Sequence, residues 1–132
     1  MMARFLAVLP ALLLVSCATE RTGAFRVNAF DTEEKAVTCV IFLNDEVLLD
    51  DKSQEPIRTP AEVKIQFREK AEGSGFESMK LGVRAVEVDG EGKIVRGLRE
   101  REDSPYIEDS RSVYPNDARQ QTFFLRKNRI QG

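Results

Sequence analysis

Apolar residues fall into two unlike arrangements along this 132-residue chain. The first is continuous: behind Arg4, the stretch Phe5 to Val15 carries no charged side chain. The second is periodic and occupies most of the remaining chain. Phe25, Val27 and Ala29 alternate with Arg26 and Asn28, the period of two that marks a strand with one wet face. Asp31-Thr32-Glu33-Glu34-Lys35 is a polar turn, after which Ala36 to Leu43 is apolar at nearly every position and rich in β-branched residues. Such a run predicts a strand covered on both faces, the central one of its sheet. Asn44-Asp45-Glu46 breaks it, and Val47 to Leu49 follows as a short strand before a polar connection from Asp50 to Arg58.

The clearest alternation begins after Thr59-Pro60, where Ala61, Val63, Ile65 and Phe67 face one way and Glu62, Lys64, Gln66 and Arg68 the other. Proline is tolerated at the opening of a strand because it removes no interior ladder bond. Glu69 to Ser78, with Gly73 and Gly75, reads as a loop. Met79 to Val88 reads as a strand whose alternation slips at Val86, which predicts a bulge near Ala85. Asp89-Gly90-Glu91-Gly92 is a turn, and Lys93 to Leu98 its returning partner. Arg99 to Gln121 carries no convincing period, and Gln121 to Arg126 closes the series as a last strand. Six or seven short strands without helical periodicity predict an all-β fold, a single small antiparallel β-sandwich or barrel.

The continuous run has a different meaning. A charged start, an apolar core too short to span a bilayer and small residues at its end are the parts of a secretory signal peptide. Its last residues, Leu14-Val15-Ser16-Cys17, resemble the lipobox of bacterial lipoproteins. That resemblance implies cleavage between Ser16 and Cys17, acylation of Cys17 by palmitate-like chains, and a membrane anchor that three chains make effectively permanent. It divides the chain into a signal peptide (1–16), a lipidated polar tether (17–22) and the sandwich (23–130). Ala18, in place of an aspartate, implies an outer-membrane location facing the periplasm.

Charge and cysteine content narrow the picture further. Of 20 basic residues only Arg4 lies in the leader, and none of the 22 acidic ones does, so the remainder is slightly acidic. That balance argues against nucleic acid as a partner. Acylation of Cys17 takes its sulfur out of thiol chemistry and leaves Cys39 unpaired among Val37, Val40, Ile41 and Phe42, where it reads as a small inert core residue.

Ala36 to Asp45, together with Thr59-Pro60-Ala61-Glu62-Val63-Lys64-Ile65, resembles the strand, turn and "TP" strand of PEGA-type and carboxypeptidase-regulatory-like domains. This resemblance spans about the middle third of the chain. It implies a transthyretin-like or immunoglobulin-like sandwich that is not itself an enzyme. Glu33-Glu34-Lys35 stands where the family usually has proline and glycine before its first strand.

With no histidine in the sequence, Ser-His and Cys-His nucleophile pairs and imidazole-based zinc sites are excluded. The acids cluster as Asp45-Glu46 with Asp50-Asp51, and as Glu100, Glu102 and Asp103 with Glu108-Asp109. Neighbouring acids on loops are ordinarily solvated charge, whereas acid/base work needs carboxyls facing each other across a cleft. The 89–92 segment lacks the alternating acids of a calcium loop, and no phosphate-cradling motif is present. No catalytic residue, metal or cofactor is therefore expected. Tyr106 and Tyr114, in the long 99–121 segment, are the binding candidates, since tyrosine is enriched at interfaces. Arg126-Lys127-Asn128-Arg129 is a basic end suited to anionic headgroups or cell-wall polymers. The expected role is a lipid-anchored, non-enzymatic structural or accessory binding module contacting an envelope protein or the cell wall. The alternative is a subunit of a secretion or outer-membrane assembly complex.

Overall fold

The computed structural model describes residues 20–73, 75–95 and 106–127, and among these there is no helix. Among the described residues seven strands form two sheets: β1 (Glu20–Asp31), β2 (Cys39–Leu43), β3 (Glu46–Val47), β4 (Ala61–Arg68), β5 (Met79–Ala85), β6 (Asp109–Val113) and β7 (Gln120–Leu125). One sheet has the order β4-β1-β7, the other β3-β2-β5-β6. The two pack as a small β-sandwich, and their inward residues make one core. Phe25, Val27, Val63, Ile65, Phe67, Phe123 and Leu125 enter it from the first sheet; Cys39, Ile41, Leu81, Val83 and Val113 enter from the second. Each fully buried Phe, Leu, Ile or Val contributes about 1.5–3 kcal/mol of transfer free energy. The Phe25 and Phe67 rings meet edge to face at 6.3 Å.

The alternation read from 61–68 survives intact: odd-numbered Val63, Ile65 and Phe67 are buried, while Glu62, Lys64, Gln66 and Arg68 are exposed. β2 lies inside its sheet between β3 and β5, as its uninterrupted apolar run requires. It begins at Cys39 rather than Ala36, because Ala36 bridges back to Phe30 across the 31–35 turn. Asn44 and Asp45, at φ 51° and 68°, close the hairpin from β2 to β3 in a two-residue turn. Ile57 to Thr59 then continue the edge beside β2, through Ile41 N–H to Ile57 O at 3.0 Å and Thr59 N–H to Cys39 O at 3.0 Å. The buried Thr59 hydroxyl donates to Val27 O at 2.9 Å and so ties the two sheets together just before β4.

Three expectations are corrected. β1 begins at Glu20, so the last three residues of the expected tether are strand, with Glu20, Arg21 and Thr22 opposite Arg68, Phe67 and Gln66. β7 runs parallel to β1, from Arg26 opposite Gln120 to Asp31 opposite Leu125, while every other pairing among these strands is antiparallel. No bulge interrupts β5, which pairs residue for residue with β2 from Leu81 to Ala85; the alternation slips at Val86 because the strand has ended. The return from Lys93 is present as far as it is described, with Val88 bridging Ile94 and Val95 N–H donating to Glu87 O at 3.0 Å; residues 96–98 lie outside the described part.

The 31–35 and 89–93 turns share one construction. In each, the aspartate Oδ1 accepts the backbone N–H groups two and four residues on, at 2.9 Å. The fourth position is left-handed in both, Glu34 at φ 65° and Gly92 at φ 83°. Glycine adopts that conformation without a Cβ penalty and glutamate does not.

Candidate functional site

The 99–121 segment contains a strand that its sequence conceals. β6 holds Asp109-Ser110-Arg111-Ser112-Val113, in which only Val113 is apolar and buried. Its ladder to β5 runs from Met79 opposite Val113 to Val83 opposite Asp109. Just before β6 the chain also touches the end of β7: Tyr106 bridges Lys127, and Ile107 N–H donates to Arg126 O at 2.8 Å. Beyond that point β6 and β7 part, and Arg111 fills the gap between them. Its guanidinium donates to Thr122 O at 2.8 Å and lies 4.3 Å from the centre of the Phe123 ring. A cation over an aromatic face is attracted by the ring quadrupole, so this arginine both bridges the strands and roofs the core.

Where the strands part, an open groove of about 340 Å³ is lined by Thr32, Ile107, Glu108, Asp109, Phe124 and Arg126. Phe124 is 48% exposed and Ile107 46% exposed. The Phe30 and Phe124 rings sit 6.1 Å apart at this corner. Both carboxylates of the groove face arginines. Glu108 pairs with the buried Arg84 through Nε, and Asp109 lies 3.8 Å from Arg111. Acids committed in this way are not arranged as the facing pair that general acid/base catalysis requires. The groove offers apolar contact beside charge, which suits binding.

The two tyrosines are not brought together. Tyr106 is half-buried against the core beside the start of β6, whereas Tyr114, 44% exposed, follows the other end of that strand. Tyr114 opens a tight turn in which its N–H donates to Asp117 Oδ2 at 2.6 Å and its carbonyl accepts from Asp117 N–H at 3.1 Å. The described acids of the first cluster serve local contacts. Asp45 pairs with Lys80 at 3.0 Å, while Asp50 holds its own loop by accepting from the Ser53 and Lys52 N–H groups, each at 2.9 Å. Those bonds, the Ser53 one foremost, hold the Asp50 carboxyl below its ordinary pKa. The Asp89 carboxylate likewise serves its own turn. Among the described residues no three acids or cysteines are grouped to hold a metal ion. Cys39 is buried and unpaired, and burial pushes its thiol pKa up to about 12.

Ser16, Cys17, Glu100, Glu102, Asp103 and Arg129 lie outside the described residues. Arg126 and Lys127, the described part of the basic end, are exposed. Among the described residues no helix is long and apolar enough to cross a membrane. None of the known family models, curated proteins or solved structures matches this chain.

The groove was not foreseen from sequence. Phe123 and Phe124 are adjacent on one strand, and only the register reveals that the first is fully buried and the second is not. Ile107 carries a comparable signal, an apolar residue isolated in a charged stretch.

Proposed function

We propose that this chain is a bacterial envelope lipoprotein, anchored through acylated Cys17 and serving as a non-enzymatic structural or accessory binding module. The observation that carries the reading is the sequence Leu14-Val15-Ser16-Cys17 placed immediately ahead of a folded β-sandwich. The apolar run before it has the length of a signal core and not of a bilayer span. Three acyl chains, at about 0.8 kcal/mol for each buried methylene, hold such a body on a membrane without a second anchor. In this reading Ala18 directs the protein to the outer membrane, facing the periplasm. The groove at Ile107 and Phe124, with both of its acids committed to arginines, supports a binding role over a catalytic one.

The test is metabolic labelling with palmitate together with intact mass of the purified protein. Label on the wild type, none on Cys17→Ser, and release of that variant from the membrane fraction are the expected results. An unlabelled wild type, or a Cys17→Ser variant that stays membrane-bound, refutes the reading. Purification of the labelled protein from solubilised envelopes then separates a freestanding module from a subunit of a stable secretion or assembly complex.

A further inference from the structure

The short distance between the anchor and the first strand fixes more than attachment. Only Ala18 and Thr19 separate Cys17 from Glu20, and the three steps along the chain, even fully extended, reach about 11 Å. Glu20 starts β1, and its neighbours at that end of the sandwich follow from the topology. Arg68, opposite Glu20, ends β4; the 69–76 hairpin comes next; Asn44 and Asp45 close the β2–β3 turn beside Lys80. The far end is equally defined. β1 runs 12 residues to Asp31, about 36 Å at ordinary strand rise, and the 31–35 turn and the Ile107–Phe124 groove lie there.

Resting on the lipoprotein reading above, we propose that the end of the sandwich formed by Glu20, the 69–76 hairpin and the Asn44-Asp45 turn rests on the lipid surface, which turns the Ile107–Phe124 groove away from the bilayer. The tether keeps Glu20 within about 11 Å of the anchor, whereas Asp31 lies about 36 Å further along β1, so the Glu20 end is the part held at the lipid. The near end is no basic patch: Arg68 pairs with Glu20 at 3.3 Å, Lys80 with Asp45 at 3.0 Å, Arg21 lies over the Phe76 ring at 4.8 Å, and the exposed Lys70 is flanked in sequence by Glu69 and Glu72. The contact is therefore independent of anionic lipid, unlike one built on a basic patch.

The acylated full-length protein is reconstituted in phosphatidylcholine vesicles containing a lipid with a nitroxide on its headgroup. A maleimide fluorophore is carried on Gly73→Cys at the near end or Glu33→Cys at the far end. Gly73 has open space around an added Cβ, and Glu33 is exposed. Cys39, buried with its thiol pKa raised to about 12, does not compete for the label. At least twofold quenching at residue 73, no quenching at residue 33, and the same ratio with phosphatidylglycerol added are the expected results. Ten Gly/Ser residues inserted between Thr19 and Glu20 add about 16–19 Å of mean reach and abolish the difference. Equal quenching at both positions in protein of acylated mass overturns the orientation and leaves the anchor standing. Protein without the acyl mass overturns both.

Discussion

Gly82 lies on β5 opposite Phe42 of β2, on the side of the sheet that faces away from the sandwich core. The Phe42 ring lies directly across it: a Cβ placed on Gly82 would meet three ring atoms at 2.1, 2.5 and 2.8 Å. Ordinary carbon contacts are about 3.5–4.0 Å, so Gly82→Ala forces the ring back by roughly 1.5 Å. The ring has little room for this, because Phe42 is only 3% exposed and the Arg84 guanidinium stands 5.3 Å from its centre. Overpacking of this kind costs about 1–3 kcal/mol, and a rigid ring puts it in the upper part of that range. Alanine recovers about 0.5–1 kcal/mol of backbone entropy relative to glycine, which leaves a net loss of about 1.5–2.5 kcal/mol. Without the Phe42 ring the effect reverses. Phe42→Ala costs about 3–5 kcal/mol by itself, but in that background the clash is gone and Gly82→Ala becomes neutral or stabilising. Urea denaturation followed by circular dichroism, run on the four proteins of the double-mutant cycle, gives a coupling of about 2–3 kcal/mol if the argument holds. A Gly82→Ala cost that is the same with and without Phe42 refutes it.

Four further outcomes rest on local geometry. Glu34→Gly relieves the left-handed glutamate of the 31–35 turn and raises stability by about 0.5–1 kcal/mol, a gain of about 2–6 °C in melting temperature, whereas the same change at Glu33 does not. Asp50 has its folded pKa lowered by the Ser53 and Lys52 N–H groups, so its contribution is complete above about pH 3.9 and is lost as pH falls through the lowered value; an NMR titration of the Lys52 and Ser53 amides reads this, and Asp50→Asn removes it. Arg111→Met keeps the stem but removes the bond to Thr122 O, costing about 1–2 kcal/mol and speeding amide exchange in β6 and β7, with little change in β4. Cys39 stays unmodified by a thiol reagent in the native protein at pH 8 and reacts at once in denaturant, whereas native-state labelling at the unfolded rate contradicts its burial.

The parts of this fold legible in sequence are those whose period was set by burial on a single face, β4 above all. β2 was legible for the opposite reason, since an internal strand covered on both faces needs no alternation. β6 was not legible because its strand character comes from the β5 ladder and from Arg111, not from its own side chains. The parallel partnership of β1 with β7 was hidden too, since period two is the same for both directions of pairing. The early start of β1 was masked by composition: Glu20, Arg21 and Thr22 look like tether, yet each is exposed on an edge-proximal stretch where polar residues cost nothing. Of the candidate site, the sequence exposed Tyr106 and Tyr114 but not their separation by the whole of β6. Ile107 and Phe124 become neighbours only once 106–107 meets 126–127.

The position of β1 between β4 and β7 has a consequence for how the chain assembles. The first of the described strands along the chain is the middle one of its sheet, and one of its two neighbours is the last of them. A chain delivered amino end first therefore carries β1 with a bare flank until residues 120–125 arrive, and loop closure over so long a span is slow. Phe123 and Leu125, which finish the interior, come with that same final strand. Completion of the domain is thus a late, all-at-once event, and a chain cut short before residue 120 has two-thirds of a sheet and no way to seal it.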